Sequence, residues 1–274
     1  MPLAPVEIAF LKQIIAERSG NVISANQDYL LESRLAPVAK SVGLPNVNAL
    51  VAELKKQPGG YLPERIAEAM TINETSFFRD GAPFEALRTD ILPALIQKRA
   101  ATRNINIWCG ASSSGQEPYS IALTIREFFN ELNLWNVKIL ATDLSEEMVK
   151  RTADGSYSQF EMNRGLPTAL LVKHFDRTGA NWRAKPELRK LIDARRMNLT
   201  GAWPTTTFYD VVFLRNVLIY FDQPSKERIL TRIAKVMRPD GYLFLGGGET
   251  LINLNVPFLR EPIGKTVCFR PVTT

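Results

Sequence analysis

Histidine and cysteine are scarce in this chain, which has one histidine and two cysteines among 274 residues. His174 alone cannot supply a zinc triad and can act as base for only one nucleophile, so we assign it no catalytic role. Cys109 and Cys268 are too far apart in the sequence to indicate a metal-ligand spacing or a disulfide framework, and we predict that both are buried. We therefore predict no metal site and favour chemistry that needs no histidine base.

Long apolar runs are also absent. The run Val211–Leu214 ends at Arg215, whereas a membrane-spanning helix needs about 20 apolar residues. The first residues have neither the basic region nor the continuous apolar stretch of a secretory signal. We therefore expect a cytoplasmic protein that does not insert into a membrane.

Positive charge is concentrated in one stretch. The net charge is +6, and residues 173–196 hold 8 basic and 3 acidic side chains. Few aromatic residues accompany this basic stretch, and no DNA-binding motif occurs with it, so we expect no nucleic-acid partner. The basic stretch is either a solvated face or a docking surface.

Two kinds of sequence pattern follow one another along the chain. Apolar residues at helical spacing predict a small helical domain over residues 1–80 and a linker helix within residues 81–103. Over residues 104–274, short apolar runs alternate with helical patterns, beginning with strands at 105–109 and 137–141. This alternation predicts an α/β fold with a doubly wound parallel sheet, whose ligands bind outside the carboxyl ends of the strands. Further strands are predicted at 209–214, 242–245 and 267–270, and a turn at 239–241.

Two nucleotide-binding motifs are incomplete in this sequence. The turn after the first strand has Gly110 and Gly115, but Ser112 stands where the dinucleotide fingerprint needs a glycine. The Gly-Lys-Thr at 264–266 lacks the earlier glycine of a phosphate loop, and a strand rather than a helix is predicted after it. Asp143 ends the second strand, where a carboxylate can accept the two hydroxyls of a ribose. The ligand that fits contains adenosine but no diphosphate.

Five motifs occur in order along the chain: NETSFFRD at 73–80, GQEPYS at 115–120, ATD at 141–143, RNVLIYF at 215–221 and GYLFL at 241–245. Together they resemble the motifs of the chemotaxis-receptor methyltransferases, the CheR family, over nearly the whole chain. The resemblance implies a Rossmann-like S-adenosylmethionine-methyltransferase sheet, preceded by the helical domain and carrying an inserted subdomain at about 156–197. It also implies S-adenosylmethionine as methyl donor, S-adenosylhomocysteine as product, and glutamates in the cytoplasmic domains of chemoreceptors as acceptors.

The resemblance further implies a set of cofactor-binding residues. Asp143 would bind the ribose hydroxyls, and Glu117 would bind the methionine part of the cofactor through its ammonium or nearby waters. The other implied contacts are Asn198 and Leu199 at the adenine, Asn216 beside the methyl pocket, and Val217, which follows it in the chain.

Arg79 is the predicted active-site cation, because its planar guanidinium can bind a carboxylate of either the cofactor or the substrate glutamate through two parallel hydrogen bonds. The two preceding phenylalanines indicate that this cation is buried. Asn73 and Thr75 lie on the same segment, where they can bond the polar end of the cofactor. Tyr220 can bound the methyl pocket and is the second predicted catalytic residue.

Methyl esterification suits a chain with one histidine, because glutamate is already ionised at neutral pH and needs no general base. Acceleration then comes from aligning oxygen, methyl and sulfur in a dry site. Two alternatives stay open: a related methyltransferase that acts on a small molecule or RNA, and a catalytically silent partner-binding module. The resemblance further implies that members of the family that grip a receptor tethering peptide tend to carry a longer glycine-containing loop in the inserted subdomain. The loop at 177–182 is compact, so we expect that no tethering peptide is required and that the basic stretch guides the protein to acidic receptor helices.

Overall fold

The computed structural model describes residues 2–57, 59–203 and 207–272. The chain forms two compact units: Met1–Ile72 with Ile219–Lys226, and Asn73–Leu218 with Glu227–Thr274. The division therefore falls at Ile72, several residues before the predicted end of the helical domain at residue 80. Residues 273 and 274, at the end of the predicted catalytic domain, lie outside the described residues.

The first unit is built on the helices α1 (Pro5–Ser19), α2 (Tyr29–Ser41), α3 (Val47–Lys56) and α4 (Leu62–Ala69). Their apolar residues recur at helical spacing and meet in one core, where Leu11 and Leu35 are fully buried. Gly20 ends α1 with a left-handed φ of 75°, which favours glycine. The predicted helical amino-terminal domain is confirmed.

The second unit contains two sheets among its described residues. Its strands are β1 (Asn104–Gly110), β2 (Asn136–Asp143), β3 (Ser156–Ser158), β4 (Phe175–Thr178), β5 (Asn181–Ala184), β6 (Ile192–Arg196), β7 (Tyr209–Leu214), β8 (Met237–Leu245), β9 (Phe258–Ile263) and β10 (Thr266–Pro271). The large sheet has the order β6-β2-β1-β7-β8-β10-β9, with parallel pairing from β6 to β8 and antiparallel pairing of β10 with β8 and β9. The strands β3, β5 and β4 form a small antiparallel sheet. The predicted doubly wound sheet with an inserted subdomain is confirmed.

The order of the strands locates the ligand-binding edge. The chain builds β1, β2 and β6 in one direction and then returns to place β7 and β8 on the other side of β1. Ligands of open α/β sheets bind beyond the carboxyl ends of the strands, where this reversal occurs. The ends of β1, β2 and β7 are therefore where the site is expected.

The helices of the remaining chain are α5 (Ala82–Ala86), α6 (Leu92–Lys98), α7 (Gln116–Phe128), α8 (Glu146–Asp154), α9 (Gln159–Met162), α10 (Thr168–His174), α11 (Pro186–Arg189) and α12 (Gln223–Val236). Ser145 caps α8, because its hydroxyl accepts a hydrogen bond from the Met148 N–H at 3.4 Å. Among the described residues, no helix is both long and apolar enough to cross a bilayer.

The segment predicted as a linker helix is part of the second unit. A π-helical turn at Leu87–Ile91 separates α5 from α6. Phe84, Leu87 and Leu92 from this segment are buried in the same core as the strands of the large sheet. Burial of these apolar side chains explains why the segment packs on the sheet.

The predicted turn at 239–241 lies inside β8, where the register shifts between Tyr209 and Val211 of the neighbouring strand. An ion-pair cluster at this end of the sheet holds the irregular segment. Arg99 donates from Nε to Asp210 at 2.8 Å and from Nη2 to Asp240 at 2.6 Å. Residues 238–241 are therefore extra on the β8 side of the register shift, and contacts from residues distant in the chain hold them.

Candidate active site

The turn between β1 and α7 forms the floor of the candidate site. Its backbone has positive φ angles at Ala111, Ser113 and Gly115 of 54°, 51° and 94°. A Cβ at Gly115 would lie 2.8 Å from Thr152 Oγ1, so only glycine fits there. The Thr152 hydroxyl donates to the Ser113 carbonyl at 3.0 Å, and this contact fixes the turn from the α8 side.

Asp143 lies at the carboxyl end of β2 and faces this turn. Its side chain is only 6% exposed. Oδ2 accepts a hydrogen bond from the Ser113 N–H at 2.8 Å, and Oδ1 accepts one from the Ser145 N–H at 2.9 Å. These two backbone hydrogen bonds orient the Asp143 carboxylate. The carboxylate that we predict to bind the ribose is thus held in place at the expected edge of the sheet.

Glu117 lies in the first turn of α7 and is paired with a buried arginine. Arg215 Nη1 donates to Glu117 Oε2 at 2.8 Å. Burial raises the pKa of the Glu117 carboxyl, while the cations Arg215 and Arg79 oppose that rise. The arginine follows β7 directly and its side chain is 1% exposed.

Sequence reasoning missed Arg215 as a site residue. A charge directly after the wholly apolar strand Val211–Leu214 was the available signal, because such a residue stands at the carboxyl edge of the sheet. The structure thereby corrects one expectation: the buried cation of this site is Arg215, whereas Arg79 is only half-buried. Phe77 is the buried member of the segment before Arg79, at 1% exposure.

The segment that carries Arg79 is anchored beside α7 and the β1 turn. Phe78 N–H donates to the Ser120 hydroxyl at 2.9 Å, and the Ser113 hydroxyl donates to the Asn73 carbonyl at 2.7 Å. Arg79 itself donates from Nη1 to the Glu74 carbonyl at 3.0 Å. Asn73 and Arg79 are thus brought to the same edge as Asp143 and Glu117, and Thr75 lies half-buried between them in the chain.

The loop after β7 is held by one carboxylate that the sequence did not single out. Glu249 accepts four backbone hydrogen bonds, from the N–H groups of Asn216 at 2.8 Å, Val217 at 2.9 Å, Leu218 at 2.7 Å and Gly246 at 2.6 Å. A Cβ at Gly246 would lie 2.6 Å from Asn216 Nδ2, so the glycine permits this close approach. Glu249 therefore fixes the backbone of the predicted contacts Asn216 and Val217.

Glu249→Gln is expected to weaken S-adenosylhomocysteine binding about tenfold and to lower the free energy of unfolding by about 1–2 kcal/mol. A glutamine amide places donors where backbone N–H groups need acceptors, so the loop carrying Asn216 loses its fixed position. Calorimetry and urea unfolding measure the two effects. Glu261→Gln is the matched control, because Glu261 is a half-exposed glutamate on β9 that pairs with Arg270 at 3.6 Å. Equal behaviour of the two variants would contradict this role.

Asn198 and Leu199 follow the end of β6, next to the end of β2. The Met197 N–H donates to the Asp143 carbonyl at 2.9 Å, which ties this segment to the predicted ribose site. Asn198 Oδ1 accepts from the Thr200 N–H at 3.0 Å. Leu199 is buried. Their adenine contacts stay a prediction.

Tyr220 belongs to the first unit, where its carbonyl accepts a hydrogen bond from the Val22 N–H at 2.9 Å. Its place at the methyl pocket stays a prediction.

His174 pairs with Glu127 through Nε2 and is buried. Both cysteines are free and buried, and burial raises the pKa of the Cys109 thiol well above its usual range. No cluster of potential metal ligands occurs in the part of the chain that the structure describes.

Comparison with known protein families matches both units. Residues 7–71 match the family model described as CheR methyltransferase, all-alpha domain, and residues 73–265 match the one described as CheR methyltransferase, SAM binding domain. A Chemotaxis protein methyltransferase 1 of Pseudomonas aeruginosa is 40% identical over 259 residues, which cover 93% of each chain. Chemotaxis protein methyltransferase Cher2 of Pseudomonas putida is 40% identical over 86% of each chain. A chemotaxis protein methyltransferase of Vibrio parahaemolyticus is 34% identical over 90% of each chain.

Proposed function

This chain belongs to the CheR methyltransferase family, and from that premise we propose how its residues carry out the reaction. It is a chemotaxis protein methyltransferase that uses S-adenosylmethionine to esterify glutamate side chains of chemoreceptors. The observation that carries the residue assignment is the pair of buried carboxylates, Asp143 and Glu117, on either side of one rigid turn at the carboxyl edge of the sheet.

The donors and acceptors at this edge fit the cofactor. Asp143 accepts the two ribose hydroxyls, and Glu117 binds the ammonium of the methionine part. Asn198 and Leu199 line the adenine, while Asn216 and Val217 border the methyl pocket on the loop that Glu249 holds. Asn73 and Thr75 bond the polar end of the cofactor. These assignments agree with a sheet whose strand order reverses between β1 and β7.

When bound, S-adenosylmethionine supplies an electrophilic methyl group on a sulfonium. The acceptor glutamate is already ionised at neutral pH, so no side chain of this chain has to remove a proton. Arg79 orients the acceptor carboxylate through its planar guanidinium. Catalysis then depends on holding the acceptor oxygen in line with the methyl group and on excluding water.

Transfer of label from methyl-labelled S-adenosylmethionine into receptor-containing membranes tests this function. A carboxyl ester releases labelled methanol under mild base, whereas a methyl group on an amide nitrogen does not. Base-stable label in the receptors would argue for a different acceptor atom. Label that enters only RNA or small molecules would favour the related methyltransferase, and cofactor binding without any transfer would indicate a silent binding module.

The cellular setting and the partners follow from the same premise. The protein acts in the cytoplasm on the cytoplasmic domains of chemoreceptors and needs neither nucleic acid nor membrane insertion. It requires no tethering peptide, because the β4–β5 connection is compact, with Gly179 at a φ of 61°. Tight binding of isolated carboxyl-terminal receptor peptides would contradict this independence from a tether.

The basic stretch at 173–196 guides the protein to acidic receptor helices. Some of its charges are shared with neighbouring acids: Lys173 pairs with Glu127 at 2.7 Å, and Arg195 pairs with Asp193 at 2.6 Å. Lys190 and Arg177 are exposed. Exposed charges act over about 8 Å at physiological salt, so the guidance fades as ionic strength rises.

Replacing Arg183, Lys185, Arg189 and Lys190 with serine is expected to raise the KM for receptor about threefold to tenfold, because electrostatic steering is lost. S-adenosylhomocysteine affinity should not change, and the salt dependence of KM should flatten. The matched control replaces the four exposed residues Lys138, Lys150, Arg260 and Lys265. Unchanged salt dependence in the first variant would show that the stretch is only a solvated face.

A further inference from the structure

Arg215 joins three parts of the second unit through one buried guanidinium. Nη1 donates to Glu117 Oε2 at 2.8 Å, and Nη2 donates to the Arg79 carbonyl at 2.8 Å and to Asp80 Oδ2 at 2.6 Å. The cation also lies 5.7 Å from the centre of the Phe84 ring. The donors thus reach α7 on one side and the segment carrying Arg79 on the other.

The first contact sets the charge of Glu117. This carboxyl is buried, and burial raises its pKa because the ionised form loses hydration. The groups that face it are Arg215 and Arg79, which favour ionisation, Glu249, which opposes it, and the neutral thiol of Cys109. Arg215 is the nearest of the cations and donates directly to the carboxylate. An opposite charge at this distance lowers the pKa of a carboxyl, so the contact with Arg215 opposes the effect of burial on Glu117.

The second contact holds the backbone around Arg79. Phe78 and Asp80 flank Arg79 with positive φ angles of 49° and 65°, and such an angle is unfavourable for a bulky side chain such as Phe78. Such a backbone persists only where surrounding contacts determine it. Two hydrogen bonds from Arg215 Nη2 end on this segment, one on the Arg79 carbonyl itself.

We propose that Arg215 is a positioning residue that keeps Glu117 ionised to receive the ammonium of S-adenosylmethionine and, with the same guanidinium, fixes the backbone from which Arg79 reaches the acceptor. The inference rests on the roles proposed above for Glu117 and Arg79. It assigns to Arg215 a coupling of cofactor binding to the geometry of methyl transfer. Only a planar fork with several donors can serve both groups at once.

Two variants of Arg215 separate its role toward Glu117 from its role toward the backbone around Arg79. Arg215→Met removes both the charge and the donors, whereas Arg215→Lys keeps a charge for Glu117 but cannot reach all three acceptors in the geometry of the fork. Binding of S-adenosylhomocysteine is measured by calorimetry between about pH 5 and pH 7.5, where the ligand amino group stays largely protonated. Turnover is measured with receptor-containing membranes at one pH.

The direction in which pH changes the affinity for S-adenosylhomocysteine depends on the protonation of the Glu117 carboxyl. Glu117 binds an ammonium only when ionised, so affinity falls as pH falls through its pKa. Removing Arg215 raises that pKa further. We therefore expect Arg215→Met to move the midpoint of the affinity loss to higher pH. Arg215→Lys should return the midpoint close to that of the unmodified protein while turnover stays at least tenfold low. In Glu117→Gln with Arg215→Met, the pH-dependent step should vanish.

If Arg215→Met does not fold, the milder variant Asp80→Asn still tests the role of Arg215. Asp80 is 49% exposed, and Asp80→Asn removes the charge of one partner of Arg215 Nη2 without changing Glu117. It should lower kcat several-fold and leave the pH profile of S-adenosylhomocysteine binding unchanged. Asp90→Asn, at an exposed position outside this cluster, is the control.

The outcomes separate this inference from the function on which it rests. If Glu117→Gln alone leaves S-adenosylhomocysteine affinity unchanged, Glu117 does not bind the cofactor and the proposed site falls. If Glu117→Gln weakens binding but Arg215→Lys shows the turnover and pH profile of the unmodified protein, only the role of Arg215 is overturned. An unshifted midpoint in folded Arg215→Met would overturn it as well.

Discussion

Asp143→Asn is expected to weaken binding of S-adenosylmethionine and S-adenosylhomocysteine by the same factor, on the order of 100-fold, because two charge-assisted hydrogen bonds are lost. A ribose contact does not change as the methyl group moves, so it contributes equally to both ligands. Calorimetry with each ligand in turn measures the two affinities.

The structure explains why even an isosteric amide is damaging at this position. Both oxygens of Asp143 accept backbone N–H groups, from Ser113 and from Ser145. An asparagine has one oxygen and one NH₂ group, so one of these backbone donors would face another donor. The turn that bears Ser113 would therefore shift at the same time as the ribose acceptors are lost.

The matched control is Asp193→Asn, which makes the same chemical change on the neighbouring strand β6. Asp193 is 46% exposed and pairs with Arg195, away from the β1 turn. Its variant should bind both ligands as the unmodified protein does. Unchanged affinity in Asp143→Asn would place Asp143 outside the cofactor site, and unequal losses for the two ligands would argue against a ribose contact.

The parts of the fold that sequence predicted are those with strong local patterns. The strand predicted at 209–214 matches β7 because its apolar run has no competing periodicity. The polar edge strand β6 and the exposed strand β9 were missed. Their residues have little apolar alternation, and the backbone pairing with β2 and β10 defines these strands.

The site was predictable where a single residue type at a strand end carries the signal, as with Asp143. The site could not be predicted from the sequence in those parts where it depends on pairs of residues that are far apart in the chain. Glu249 meets the N–H groups of residues 216–218 only because β7 and β8 are neighbours, and Arg215 meets Glu117 only because β1 and β7 are. Such pairs follow from the strand order rather than from any local motif, so spacing along the chain cannot find them.

Arg79→Ala is expected to lower kcat by about 100-fold to 1,000-fold while S-adenosylhomocysteine affinity falls less than about tenfold. A cation that orients the acceptor carboxylate acts when the oxygen, methyl and sulfur come into line, and so its loss appears in turnover. The side chain is half-buried and donates to the Glu74 carbonyl at 3.0 Å. Glu117 keeps its pair with Arg215 when this side chain is removed, so the unfolding temperature should change little.

Arg79→Lys distinguishes a fork from a point charge. The lysine keeps the positive charge, and the backbone at this position is held by Arg215 through the Arg79 carbonyl, which the substitution does not alter. Because an ammonium cannot bind a carboxylate through two parallel hydrogen bonds, turnover should stay at least tenfold below that of the unmodified protein. Arg88→Ala is the control, since Arg88 pairs with Glu85 at 2.5 Å on the surface of the same unit. If Arg79→Lys had full turnover, Arg79 would not bind the acceptor through two parallel hydrogen bonds. If Arg79→Ala lost affinity and turnover equally, Arg79 would bind the cofactor carboxylate instead of the acceptor.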